Sequence, residues 1–310
     1  MREIIFLTIA PCDLYGIINN FFTVVIPKNA LINRENLKKI VELGLHQIFA
    51  RIDDCQILNQ IHRKKLIDIT RSLSMGNTLE NCKKQVYYLL INLEHLYKNS
   101  IDDEGLFTQY QCINSLGQIL FDKNDLIPEL YRYLLEQKYH YSISHPLLSS
   151  LILLGYLRNV QHFSNKEVLS LFVTSYFKDI GMSAIPEDFL NKRSLSKLEV
   201  ELISKHVHFS VDILNSRIPL NTNYFNIIEN HHTFSLLQGR CKRSKIISGV
   251  ETLLIESIDT LTAMISDRPY REGINVYNAL ELLKNRMGSN YYQEFKLLVF
   301  YIQRFFKTVK

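Results

Sequence analysis

From about residue 56 to its end the chain repeats one pattern: apolar side chains three and four positions apart with charges between them. Ile57, Ile61, Leu66 and Ile69 show it, and so do Tyr87, Leu90, Ile91, Leu93 and Leu96. This is the period of one face of an α-helix, and its persistence commits most of the chain to packed helices. Further helices are predicted over 105–121, 125–138, 145–159, 165–179, 196–215, 223–232, 245–265, 274–287 and 290–307. Residues 1 to about 55 read differently. Short β-type runs at Ile4–Ile9, Phe21–Ile26 and Gln47–Ile52 surround one helical stretch, Arg34–Leu43, that stops at Gly44. The expected fold is mainly α: a small α/β unit followed by helices over 1–130, and a helical bundle over 131–310. Two domains suit a chain of 310 residues. No Pro/Gly/Ser linker marks the boundary, which is placed near residue 130.

Composition narrows the function classes. Thirty-six Lys and Arg stand against 31 Asp and Glu, a formal charge of +5 spread evenly along the chain, so no clustered basic face for DNA is expected. Five cysteines without a C-x-x-C pair give neither a disulfide framework nor a thiolate zinc site, and suit reduced cytoplasmic thiols. The apolar window Ile246–Ile265 is interrupted by Glu251, Glu256 and Asp259, and the opening Met1-Arg2-Glu3 carries an acid where an export signal is basic. Neither membrane insertion nor export is expected.

Seven of the ten histidines fall between His140 and His232, and two of them, His231 and His232, are adjacent. Neighbouring histidines on one helix point about 100° apart, so both reach one metal only near a helix end or in a cleft between helices. Lys178-Asp179-Ile180-Gly181 closes one predicted helix, His206 lies in the next, and Asp259 sits inside the apolar run Leu253–Met264. A carboxylate there is costly to bury without a partner. Imidazoles and carboxylates on several inward-facing helices are how bundles build sites for iron, manganese or zinc.

At this point a family resemblance emerges. Phe177-Lys178-Asp179-Ile180-Gly181-Met182-Ser183-Ala184-Ile185-Pro186-Glu187, followed by Leu190-Asn191-Lys192, Leu195-Ser196, Glu199, His206 and Ile213-Leu214, resembles the HD-GYP pattern L-H-D-I-G-K-x-x-I-P, then a lysine, L-T, H-P and I-L. His231-His232 is similar to the family's H-H-E. Asp259, Ala263 and Ser266-Asp267-Arg268-Pro269-Tyr270-Arg271 are similar to its A-D-x-x-D-A-L-T-S-D-R-P-Y-R block. The resemblance spans about residues 140–307. It implies a helical metallohydrolase fold of the HD superfamily, two or three iron or manganese ions, and cyclic di-GMP as substrate. Residue by residue, it implies metal ligands at His145, Asp179, His206, His231, His232 and Asp259, catalytic positions at Asp179 and Lys178, and phosphate contacts at Arg268 and Arg271.

The departures fall on the chemistry. The HD histidine is Lys178, the following family lysine is Met182, the Glu after the histidine pair is Thr233, and Gly-Tyr-Pro is replaced by Gly239-Arg240-Cys241. A Glu that serves a third metal in some members falls near Tyr141. A charged ammonium has donors and no lone pair, so Lys178 cannot ligate a metal as histidine does. Three readings of Lys178 stay open: a solvated lysine at a helix end, a first metal lost by drift, or an ammonium occupying the vacated metal position between Asp179 and Asp259. Each predicts a missing ion, hence one or two divalent ions, iron or manganese. Arg268 and Arg271 read either as phosphate forks or as helix-capping groups of a connector. The basic loop carrying Arg240, Lys242, Arg243 and Lys245 suits an anionic dinucleotide or a solvated surface.

The expected function is a degenerate HD-GYP-like protein of cyclic di-GMP signalling that binds metal and the nucleotide with weak or no hydrolysis. The alternatives are an active metal-dependent phosphodiesterase and an interaction scaffold on an HD fold. A protein partner or a homodimer is compatible with each.

Overall fold

The computed structural model describes all residues except 1–3, 5, 6, 46, 74, 75, 77, 138, 233–248, 288–290 and 310, together with the side chain of Arg286. Two compact units divide at 68/69. The first contains an antiparallel hairpin, β1 (Leu14–Ile18) and β2 (Phe21–Ile26), and helix α1 (Arg34–Glu42). Asn19 and Asn20 form the hairpin turn with φ of 51° and 66°. Asparagine tolerates this left-handed region, whose twist suits a two-residue hairpin. Leu14, Ile26, Ile32, Ile40, Leu45 and Leu58 supply the core. The β-type run at Phe21–Ile26 is thus a strand. Those around Ile9 and Phe49 supply single bridges, to Leu31 and Tyr15, and β1 itself lies between the predicted runs.

Helix α2 (Ile52–Leu73) begins in the first unit. The second unit contains α3 (Leu79–Lys98), α4 (Asp103–Asp122), α5 (Leu126–Glu136), α6 (Tyr141–Val160) and α7 (Asn165–Phe177). A 3-10 turn over Ile180–Ala184 leads to α8 (Glu187–Leu190), α9 (Lys197–Ser204), α10 (His206–Leu214) and α11 (Thr222–Asn230). Helices α12 (Val250–Ile265), α13 (Val276–Met287) and α14 (Tyr292–Val309) complete it. The mainly α fold is as expected. No described helix is long and apolar enough to cross a membrane.

The bundle is built around α6, which is buried along its whole length from Ile143 to Leu157. A helix apolar on every side must be surrounded, and α4, α5, α7, α12 and α14 all pack against it. Capping fixes where the neighbours start. Ser164 with Glu167 and Ser196 with Glu199 form reciprocal capping boxes at α7 and α9, satisfying amide groups that have no intrahelical partner.

Two boundaries differ from expectation in ways that build the site. The continuous helix predicted over 196–215 is two helices, α9 and α10, interrupted at Lys205. The helix predicted over 165–179 ends at Phe177, so Lys178 and Asp179 lie in the turn that follows it.

Candidate metal centre

The turn after α7 is pressed against α10. A Cβ on Gly181 would overlap the His206 carbonyl oxygen and the Ser210 amide nitrogen, so only glycine permits this approach. The Ser210 hydroxyl donates to the Lys178 carbonyl (2.7 Å) and accepts from the Gly181 amide (2.8 Å). Gly181→Ala is expected to destabilise the protein by about 1–3 kcal/mol through overpacking, measurable by denaturant unfolding.

This turn aims two side chains inward. Lys178 is completely buried, which removes the solvated reading. Its ammonium pairs with Asp179 Oδ2 and lies 2.6 Å from Asp259 Oδ1. On the other side of Asp259, His145 Nε2 lies 2.8 Å from the same Oδ1. Burial would push the Lys178 ammonium down in pKa, but Asp179 and Asp259 outweigh it and raise it. Burial would raise the two carboxyls, and the ammonium beside them holds both well below their usual range instead. The cluster is a buried ion triad with His145 at its end, and burial keeps that imidazole below its ordinary pKa.

A second cluster shares Asp179. His206 Nε2 and His231 Nε2 lie 3.4 and 3.2 Å from Asp179 Oδ1. The His206 and His231 rings are 5.4 Å apart, and those of His231 and His232 are 4.1 Å apart. His206 begins α10 because of the break at Lys205, and His231 caps the end of α11. Adjacent histidines therefore reach one point from a helix terminus, as the geometry of a helix requires. Burial, with His231 beside it, lowers the pKa of His232 to about 3, so its imidazole is neutral and has a lone pair at neutral pH.

The two clusters differ in how their hydrogens are assigned. His206 Nδ1 lies 2.6 Å from the Ile203 carbonyl, and His231 Nδ1 lies 2.6 Å from the Ile228 carbonyl. A carbonyl can only accept, so each Nδ1 carries a hydrogen, and the tautomer this selects has its Nε2 lone pair toward Asp179. His206 Nε2 is buried and makes no hydrogen bond. Lone pairs converging on a carboxylate oxygen require either extra protons or a cation among them. The ligand atoms of Asp179, His206, His231 and His232 all lie within 4.8 Å of one another, and a divalent ion fits that donor set. His145 behaves differently. Its Nδ1 has no hydrogen-bond partner, and its Nε2 hydrogen satisfies Asp259 without any metal. His145, Asp179 and Asp259 also come within 4.8 Å of one another, but the Lys178 ammonium already pairs with both carboxylates.

A cavity of about 430 Å³ opens over both clusters, lined among others by Tyr97, Lys192, Arg193 and Tyr270. The Arg268 guanidinium lies 3.9 Å over the Tyr141 ring, and its buried Nε has no hydrogen-bond partner. Arg271 also lines the cavity, while its guanidinium donates to the Ala263 (2.5 Å) and Met264 (3.2 Å) carbonyls at the end of α12. It thus performs the capping role the sequence allowed. Tyr141 donates to the Leu190 carbonyl (2.9 Å), and burial raises its pKa to about 12. It offers no carboxylate for a third ion. Thr233, Gly239-Arg240-Cys241 and the basic loop through Lys245 lie outside the described residues.

Of the residues named from sequence, His145, Asp179, His206, His232, Asp259, Arg268 and Arg271 line this cavity, and Lys178 and His231 are buried against Asp179. One that sequence reasoning missed is Tyr97 of α3, whose hydroxyl donates to the Asp179 carbonyl (3.1 Å). Its place in an amphipathic helix, among core residues of the same type, gave no signal.

No protein-family model and no curated protein matches the chain. Among solved structures it is similar to Bd1817, described as an HDG"Y"P protein from Bdellovibrio bacteriovorus. The TM-score is 0.63 with 14% sequence identity, over 94% of this chain and 94% of that one. The fold is similar to that of this HDG"Y"P protein, and the chain carries a candidate metal-binding cluster where imidazoles and carboxylates converge.

Proposed function

We propose that this chain is a degenerate HD-GYP-like protein of cyclic di-GMP signalling, acting in the cytoplasm. It holds one divalent ion, iron or manganese, on Asp179, His206, His231 and His232, and binds the dinucleotide with little or no hydrolysis. The observation that carries this reading is Lys178, whose buried ammonium sits between Asp179 and Asp259. Two ions would lower the pKa of a shared water and clamp phosphate oxygens from both sides.

The chain's own residues perform the rest. Lys178 pairs with Asp179 and Asp259 and leaves the second carboxylate oxygen of Asp179 facing the imidazoles. Arg268, with an unpartnered Nε at the cavity wall, meets a phosphate oxygen as a guanidinium fork does. Arg271 adds charge beside it while remaining tied to α12. Tyr141 and Tyr270 offer aromatic faces to the rest of the ligand. Asp179, His206, His231 and His232 would hold one ion, and a single ion would supply less activation of water than a pair; Lys178 keeps a fixed ammonium beside Asp179 and Asp259.

Elemental analysis after loading with manganese or iron is expected to find one ion per chain, and calorimetry with cyclic di-GMP to find binding. Two tightly held ions, or no nucleotide binding at high micromolar protein, would overturn this reading. An active phosphodiesterase is the second reading. The approach of His145, Asp179 and Asp259 to within 4.8 Å favours it, and it requires Lys178 to withdraw from the carboxylates.

A further inference from the structure

We propose that Tyr97 is a positioning residue for the metal centre: from α3, it fixes the peptide that carries Asp179, and so sets the affinity of the site for its ion. This rests on the metal reading of Asp179, His206, His231 and His232. Asp179 is the residue of that set that lies between two helical segments, after the end of α7 and at the start of the 3-10 turn. Its φ and ψ of −102° and 8° place it in a turn between α7 and the 3-10 segment. The 3-10 segment gives its carbonyl one hydrogen bond, from the Met182 amide, and its carboxylate has to serve the Lys178 ammonium with one oxygen and the imidazoles with the other.

Side chains from two other helices supply the constraint. Ser210 grips the turn at the Lys178 carbonyl and the Gly181 amide, one turn along α10 from His206. Tyr97 grips it from α3 at the intervening Asp179 carbonyl (3.1 Å). The same carbonyl accepts the Met182 amide (2.9 Å), so Tyr97 completes its two acceptor positions. A carbonyl oxygen can only accept, so the Tyr97 hydroxyl is the donor in this contact. Ser210 belongs to an element that itself bears a ligand. Tyr97 instead ties the turn to α3, a helix that lies before the stretch carrying the motif resemblance. Groups that orient a ligand from outside the coordination sphere typically set metal affinity within a factor of about 10–100.

The test measures the manganese dissociation constant of the intact protein by calorimetry. Tyr97→Phe, which removes one oxygen, is expected to weaken binding about tenfold. Tyr156→Phe is the control: its hydroxyl meets the Glu294 carbonyl at 3.5 Å, away from the centre, and it is expected to leave the constant unchanged. A Tyr97→Phe protein that melts lower but binds manganese as tightly as its parent has a merely structural Tyr97, and the inference falls. If that variant does not fold, Ser210→Ala, which frees the same turn from the other side, decides by the same measurement. A parent that binds no manganese overturns the metal reading itself, a result separable from the other two.

Discussion

Lys178→Met, measured by denaturant unfolding in the presence of chelator, is expected to lose about 3–5 kcal/mol of stability. That is the usual consequence of removing one partner from a buried ion pair and leaving the other uncompensated. In a protein of this size it corresponds to a fall in Tm on the order of 10 °C. The residue is fully buried and serves two carboxylates, both held ionised by its charge. Methionine keeps the length and apolar contacts of the side chain but leaves Asp179 and Asp259 facing each other across a low-dielectric space. Manganese is expected to restore part of the loss, because the emptied position is bounded by His145, Asp179 and Asp259. A loss below about 1 kcal/mol, the scale of an exposed pair, would mean that the ammonium is incidental and that drift alone explains the missing histidine.

That the sequence left Lys178 with three readings has a physical cause. A lysine at the last turn of a helix is normal when solvated, because cations favour that end. Nothing in the neighbouring residues tells whether the turn faces water or the core. Burial decides it, and burial depends on Asp259, eighty-one positions away in the sequence. The long helices were legible because their apolar period is a local property, as in α2, α7 and α14. The division of 196–215 was not. Its apolar spacing continues past Lys205 without Gly or Pro, and the break is made by the packing of α10 against the Gly181 turn. β1 was missed because Gly16 and the flanking Asp13 and Asn19-Asn20 resemble a loop, whereas Gly16 is needed there: a Cβ would meet Leu45. His206 and His231 were legible as ligand types, but the tautomers that turn their lone pairs inward depend on the Ile203 and Ile228 carbonyls in three dimensions.

The same reasoning makes Lys178→His the informative reversal. Histidine at this position would replace a donor-only ammonium by an imidazole lone pair and release Asp259 and His145 to act as ligands. Metal content should rise from one to two ions per chain, and hydrolysis of cyclic di-GMP, assayed anaerobically with iron or manganese, should rise about 100-fold or more. That gain is ~2.7 kcal/mol of barrier, at about 1.36 kcal/mol per factor of ten, and is modest for a second ion that shares the nucleophile and holds the leaving oxygen. The variant should also bind its second ion more weakly than the first, because His145 Nδ1 has no carbonyl to fix its tautomer as His206 and His231 do. One ion per chain in Lys178→His would show that the first position fails for a reason other than the lysine. Two ions without a gain in turnover would place the loss of activity elsewhere in the cavity and end the account built on the ammonium.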